Sequence, residues 1–191
     1  MVGQTSFYTE EELQDLGFKS IGRYCKISRK TSFYGIANIS IGNNVRIDDF
    51  CLLSGYITLG NNIHISAFAA LYGARGIELE DYTCISPHST ILSATDDWSG
   101  NYLCGATHPD MFRNVTGGKV TMKKFSGVAS HSLVFPKVTI AEGAVVGAMS
   151  MVKTDLEPWT IYAGVPVKKI KERSRDMLNY LESYLSIQNS F

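Results

Sequence analysis

The chain has 191 residues, with 18 basic and 18 acidic side chains and an isoelectric point near 6.9. This balance disfavours a nucleic-acid-binding protein, because such proteins concentrate basic residues on one surface. No apolar run is long enough to span a bilayer and the N-terminus lacks a signal-peptide pattern, so we expect one cytoplasmic domain over residues 1–191 without a membrane span. The cysteines form no CxxC pair, which favours reduced thiols over a metal site or a set of disulfides.

A short helical cap is expected within residues 1–20. Thr9 and Glu12 have the spacing of a capping box, in which each side chain accepts a hydrogen bond from the backbone of the other residue. Gly17 should end this helix, because glycine readily adopts the left-handed conformation that follows many helix C-termini.

The region from residue 21 to residue 157 carries aliphatic side chains at every sixth position. Neither an α-helix nor a simple strand has that period. It is typical of a β-helix, in which a short strand and a turn repeat every six residues. Gly-Asn-Asn turns at 42–44 and 60–62 are 18 residues apart, which predicts three hexads per coil. The main runs are Ile41, Ile47, Leu53, Leu59, Ile65 and Leu71; Leu79, Ile85 and Ile91; and Met122, Val128, Val134, Ile140, Val146 and Val152.

A polar, glycine-rich loop over residues 95–119 interrupts the hexads. A loop of this length inside a compact domain is usually functional or disordered, and its composition favours a function. Asp96, Asp97 and Trp98 suit a sugar, because carboxylates accept hydrogen bonds from hydroxyl groups while an aromatic ring covers an apolar sugar face. A solvated turn is the alternative for these three residues. His108, which precedes Pro109 in the same loop, is a candidate general base.

The other three histidines lie among the hexads. His88 and His131 occupy the fourth place of their hexads, where we expect the side chain to point outward at a turn, on the surface or at an interface. His64 is likewise expected at a turn. His131 and then His88 are therefore the remaining candidates for a general base.

Residues 158–191 are expected to form a turn and a C-terminal helix that starts near residue 167. The apolar residues fall on one face of this helix, so it should pack on the coil or on a neighbouring subunit. The predicted apolar face consists of Ile170, Met177, Leu178, Leu181, Tyr184 and Leu185.

Several motifs accompany the hexads: Thr-His-Pro at 107–109, Phe-Pro-Lys-Val-Thr-Ile at 135–140, Val-Gly-Ala-Met-Ser at 146–150 and Ala-Gly-Val-Pro at 163–166. With these motifs the sequence resembles the hexapeptide-repeat acyltransferases. The nearest branch is the sugar O-acetyltransferases, such as galactoside and maltose acetyltransferases and their relatives in bacterial surface-polysaccharide pathways. The resemblance covers residues 21–170 and implies an all-β fold, a left-handed parallel β-helix.

The resemblance also implies a chemistry and an assembly. Acetyl-CoA would be the co-substrate, without a metal, in a groove between adjacent subunits of a homotrimer. It would lie near Ser130, Ala148, Lys153 and Lys168. His108 matches the loop histidine that deprotonates the acceptor hydroxyl in this family. We therefore expect transfer of an acetyl group to a sugar hydroxyl, in surface-polysaccharide or O-antigen biosynthesis.

Two other functions are compatible with the same sequence. A sugar-nucleotide N-acetyltransferase would acylate an amine, and an amine with a lowered pKa needs less help from a base than a hydroxyl does. A non-enzymatic or metal-binding β-helix protein is the alternative from another class. A metal site would need several histidines to converge across a subunit interface, and the sequence has no His-x-x-x-x-His pair.

Overall fold

The computed structural model describes residues 6–188 as a parallel β-helix with three faces and an α-helix at each end. The first face contains Lys26–Ile27, Arg46–Ile47, His64–Ile65, Cys84–Ile85, Gly127–Val128, Val145–Val146 and Thr160–Ala163. The second face contains Ser32–Tyr34, Thr90–Leu92, Leu133–Val134, Met151–Val152 and the first halves of the strands Leu52–Leu59 and Ala70–Leu79. The third face contains Ser20–Ile21, Ile39–Ile41, Val120–Met122, Thr139–Ile140 and the second halves of those two long strands.

The interior of the coil is a single column of aliphatic side chains. The large residue of each hexad points inward and is almost completely buried, as predicted. The residue four places later fills the space beside it, and Val45, Cys51 and Ala69 each expose at most 1% of their surface. Because each coil pairs only with its neighbours, burial and hydrogen bonding repeat locally along the axis.

The faces meet at corners where the backbone adopts left-handed conformations. The aromatic corner, between the first and second faces, consists of Phe50, Phe68, His88, His131 and Met149, with φ between 54° and 63°. Non-glycine residues rarely adopt positive φ, so the hydrogen bonds between coils must hold each turn. The turn at Phe68 is held by its N–H group, which donates to the Asp49 carbonyl at 3.1 Å.

The N-terminal helix spans Glu10–Asp15 and begins as predicted. The Glu12 N–H donates to Thr9 Oγ1 at 3.2 Å, and the Thr9 N–H donates to Glu12 Oε2 at 2.7 Å, which completes the capping box. Gly17 follows the helix with a φ of 84°. The Arg29 guanidinium lowers the pKa of Glu12 to about 2 and joins the helix to the first coil. Residues 1–5 of the predicted cap lie outside the described residues.

The interruption leaves the coil at the corner between the second and third faces. Ala94–Asp96 pairs antiparallel with Val115–Gly117, and a 3₁₀ turn at Asp110–Phe112 lies between them. The coil resumes at Val120–Met122, which pairs with residues 77–79 of the preceding coil. The predicted interruption of the coil is confirmed, and it contains a hairpin of its own. We call residues 94–117 the excursion.

The predicted helix from residue 167 is wrong in its first part. Lys168–Glu172 is a strand antiparallel to Thr160–Ala163, and the helix spans Met177–Gln188. The first face ends in an open strand edge, and the hydrogen bonds available there outweigh the helical spacing of the side chains. Ile170 therefore lies on this strand and not on the predicted helical face. The coil also extends to Ala163, beyond the expected end at residue 157. Residues 189–191 lie outside the described part.

The prediction that His64 lies at a turn is wrong. His64 lies in the strand His64–Ile65 on the first face. The residue before each inward aliphatic completes a two-residue strand, so its side chain points outward from a face. The His64 Nε2 atom lies 2.8 Å from Asp48 Oδ2 on the preceding coil.

Among residues 6–188, no helix has the length and apolar character needed to cross a bilayer.

Candidate active site

Asp96 ends the first strand of the excursion, where two donors contact its carboxylate. Oδ2 accepts a hydrogen bond from the Gly105 N–H at 3.2 Å, and Oδ1 lies 3.4 Å from Arg113 Nη2. The Asp96 side chain is only 21% exposed, so water screens these contacts weakly. Both contacts are long for charged hydrogen bonds, and the carboxylate keeps lone pairs for a further donor.

Asp97, by contrast, stabilises the loop itself. Its Oδ1 accepts a hydrogen bond from the Ser99 N–H at 2.8 Å, and its Oδ2 accepts one from Asn114 Nδ2 at 2.9 Å. The Ser99 side chain, together with these two hydrogen bonds, lowers the pKa of Asp97. Trp98 donates from Nε1 to Thr95 Oγ1 at 3.3 Å and leaves 77% of its surface exposed. Of the two predicted sugar-binding carboxylates, Asp96 is thus the one with capacity for a ligand.

His108 lies in the excursion with its ring exposed. Its backbone N–H donates to the Gly105 carbonyl at 3.4 Å, so His108 and Asp96 both contact Gly105. Within residues 6–188 the imidazole has no hydrogen-bond partner that would orient it. The position of His108 is compatible with a general base, but its ring is not held for that role.

His88 and His131 stack on the aromatic corner. The ring centres are 4.7 Å apart with planes 5° from parallel, and Phe68 stacks on the other side of His88 at 4.7 Å. Both side chains point outward at a turn, as predicted. This corner is separate from the one that carries the excursion, so the structure does not bring His131 together with His108.

A cleft of about 390 Å³ runs along the first face, below the C-terminal segment. Arg173 anchors that segment, because its Nη1 donates to the carbonyls of Phe125 at 2.7 Å and Gly143 at 3.0 Å. Burial lowers the pKa of this guanidinium. Ser86, half-buried, presents a hydroxyl at the edge of the cleft nearest the aromatic corner. The cleft is lined mainly by Tyr82, Cys84, Ser86, Gly127, Ala129 and Met177.

The four residues expected beside acetyl-CoA fall into two pairs. Ser130 and Ala148 lie on adjacent coils next to the aromatic corner, where the Met149 N–H donates to the Ser130 carbonyl at 2.9 Å. Lys153 and Lys168 lie nearer the C-terminal end of the coil. The Lys153 Nζ is 5.5 Å from the centre of the Phe135 ring, and Lys168 opens the antiparallel strand. Ala148, Lys153 and Lys168 are exposed to solvent, and Ser130 is half-buried.

Known proteins share this architecture and much of this sequence, although no protein-family model matches the chain. The dTDP-4-amino-4,6-dideoxy-D-glucose acyltransferase of Escherichia coli is 42% identical over 181 residues, which cover 93% of this chain and 94% of that protein. The chain belongs to the hexapeptide-repeat acyltransferases. Its left-handed parallel β-helix is the fold of that family.

Two solved structures extend the comparison. AntD, an N-acyltransferase from Bacillus cereus in complex with dTDP and coenzyme A, is 50% identical with a TM-score of 0.93, covering 96% of this chain and 99% of AntD. A hexapeptide-repeat acetyltransferase from Vibrio cholerae, complexed with acetyl coenzyme A, has a TM-score of 0.60 at 16% identity, covering 86% and 76% of the two chains. The second likeness concerns the fold alone.

Two candidate site residues of this hexapeptide-repeat acyltransferase, Ser86 and Arg113, were not predicted from the sequence. Ser86 is one small outward residue among many, and only the cleft distinguishes it. The sequence could have indicated Arg113 as a partner of the loop carboxylates. It is the only Lys or Arg of the excursion, which also contains Asp96, Asp97 and Asp110. Within residues 6–188, no three His, Cys, Asp or Glu side chains converge as a metal site.

Proposed function

We propose that this acyltransferase transfers an acyl group from acyl-CoA to the amino group of a nucleotide-linked amino sugar. The observation that carries this proposal is the full-length similarity to two enzymes of that kind. One is named for dTDP-4-amino-4,6-dideoxy-D-glucose, and AntD has been crystallised with that sugar nucleotide and coenzyme A. This similarity favours the alternative acceptor, an amine, over the sugar hydroxyl expected from the motifs. The proposed donor is an acyl-CoA and not acetyl-CoA alone, since AntD has also been crystallised with 3-hydroxybutyryl-CoA.

A serine and an aspartate are the residues to which we assign the reaction. AntD has been crystallised as variants of one serine and one aspartate that lie ten residues apart. In this chain Ser86 and Asp96 are the one such pair with that order and spacing. The Asp96 carboxylate is suited to accept a hydrogen bond from the attacking amine, and the Ser86 hydroxyl to donate one to the developing oxyanion.

Within one copy of the chain, Ser86 and Asp96 are far apart. Ser86 faces the cleft on the first face, whereas Asp96 lies beyond the second face, on the excursion. Crossing the second face takes about five residues of extended chain, or roughly 15 Å. We therefore propose a homotrimer in which Asp96 of one copy approaches Ser86 of the next, and acyl-CoA lies between them.

The chemistry needs no covalent enzyme intermediate. The neutral amine attacks the thioester carbonyl, the new C–N bond forms and the C–S bond breaks. The departing thiolate can take up the proton that the amine loses. Small residues at Ser130 and Ala148 leave room for the pantetheine arm, and Lys153 and Lys168 provide cations for its phosphates. These assignments keep the four residues proposed from the family resemblance.

The choice between amine and hydroxyl is directly testable. The enzyme is given an acyl-CoA and either dTDP-4-amino-4,6-dideoxyglucose or the same sugar nucleotide with a hydroxyl in place of the amine, and release of free CoA thiol is followed. We expect turnover of the amine to exceed that of the hydroxyl by at least roughly 10²-fold, because a neutral amine attacks without a general base whereas a hydroxyl needs one. Equal turnover would restore the hydroxyl acceptor. No turnover of either, without heat on titration with acyl-CoA, would overturn the proposal.

His108→Ala separates the two acceptor chemistries in a second way. A sugar hydroxyl needs a general base, and removal of that base lowers kcat by roughly 10²–10⁴-fold. A neutral amine attacks without one, so we expect His108→Ala to retain kcat within about tenfold of the wild type. His131→Ala and His88→Ala, measured in the same assay, show whether a stacked histidine acts instead. A loss of more than a hundredfold in any of these variants would identify a required base.

A further inference from the structure

Arg113 is an arginine whose hydrogen-bonding capacity is largely unused. Its side chain is 15% exposed, its Nη1 lies 3.3 Å from Asp110 Oδ1, and its Nη2 lies 3.4 Å from Asp96 Oδ1. The Nε atom is buried and has no hydrogen-bond partner among the described residues. An unsatisfied buried donor costs free energy, so a guanidinium with an unpartnered N–H group and two long contacts calls for an explanation.

The two carboxylates beside Arg113 differ in their surroundings. The Asp110 side chain is 99% exposed, so water screens that ion pair and it contributes little. Asp96 is shielded, and its second oxygen already accepts a hydrogen bond from Gly105. The guanidinium therefore acts mainly on Asp96, and together with the Gly105 N–H it fixes the plane of the carboxylate.

We propose that Arg113 is a positioning residue, which holds Asp96 in the orientation where its free lone pairs meet the acceptor amine. This inference rests on the proposed function. Hydrogen bonds of a catalytic site are often long before substrate binds and shorten in the complex. The long contacts of Arg113 are of this kind, and we expect them to shorten when the amine enters.

Kinetics of Arg113→Ala with the amine acceptor test this role. A misplaced carboxylate costs on the order of 10²-fold in rate, so kcat should fall by about that factor. The KM for acyl-CoA should stay within about twofold of the wild type, because Arg113 acts on the acceptor side. Guanidinium ion added at millimolar concentration should restore part of the kcat of Arg113→Ala by occupying the vacated space. It should not restore Asp96→Asn, in which the carboxylate itself is missing.

Asp110→Asn is the matched control, since it removes the charge of the exposed partner of Arg113 and should keep wild-type kcat. Cleavage of the excursion by chymotrypsin at its exposed aromatic residues reports whether Arg113→Ala unfolds the loop. Wild-type kcat in Arg113→Ala would overturn the inference. So would lost activity with rapid cleavage and no rescue by guanidinium, because the role would then be structural. If the wild type does not turn over the amine, the proposed function fails and this inference fails with it, whereas a failure confined to Arg113→Ala leaves the function intact.

Discussion

Mixing two inactive variants, Ser86→Ala and Asp96→Asn, is expected to restore acyl transfer that neither variant shows alone. Each substitution removes one of the proposed hydrogen bonds to the reacting groups, so each should lower kcat by roughly 10²–10³-fold. In a mixed homotrimer, some interfaces combine the intact Ser86 of one copy with the intact Asp96 of the next. Random assembly of equal amounts places both residues at about a quarter of the sites, because neighbouring subunits meet through two different surfaces.

The measurement is the initial rate of thiol release after the two variants are co-expressed with different tags and the mixed assembly is isolated. The control replaces one partner by the double variant Ser86→Ala/Asp96→Asn, since no interface can then regain both residues. Isolation removes the trimers of a single variant, and each remaining mixed trimer has both intact residues at one of its three interfaces. Recovery near a third of wild-type kcat in the isolated mixed assembly, but not in the control, supports a site shared between copies. A mixture that remains as inactive as its components would contradict it.

Gly117→Ala is expected to have the largest effect on stability among the substitutions considered. A Cβ at this position would overlap the Ser93 carbonyl oxygen and lie 2.8 Å from Ala94 Cα. Both are backbone atoms at the base of the excursion, so the strands must move apart. Overpacking of this kind costs roughly 1–3 kcal/mol, and for a chain of this length 1 kcal/mol corresponds to about 2–4 °C in Tm.

Thermal unfolding checks this, with Thr116→Ala as the matched control, because Thr116 is exposed on the same strand. We expect the control to leave Tm within about 2 °C. Gly117→Ala should also lower kcat, since Asp96 lies two residues from the displaced Ala94. An unchanged Tm would mean that the close contact at the base of the excursion relaxes without cost.

The coil was predictable because its signal is local. Each inward aliphatic repeats after six residues, and the turns at Asn44 and Asn62 repeat after 18. The strand Lys168–Glu172 was not predictable in this way, since it depends on pairing with the open edge at Thr160–Ala163. Side-chain spacing alone describes a helix there, and no short-range pattern reports a free strand edge.

The site was predicted only in part, for a similar reason. Asp96 and His108 stood out because they lie in the one long interruption of the repeat. Arg113 contacts Asp96 across a separation of 17 residues, and the hairpin that joins them is not encoded in a periodic pattern. Ser86 becomes distinctive only when the cleft along the first face is known.

The excursion is an insertion that leaves the stacking of the coils on either side of it unchanged. His88 and His131 are 43 residues apart in the chain, yet their rings stack as closely as those of Phe50 and Phe68, which are 18 residues apart. The coils therefore stack across the insertion as they do elsewhere, and the 25 additional residues between these two histidines do not alter the coil. Because neighbouring coils stabilise one another locally, such an insertion can be exchanged or lengthened while the coil stays unchanged. Under the proposed function, acceptor and donor recognition can then diverge independently in proteins built on this plan.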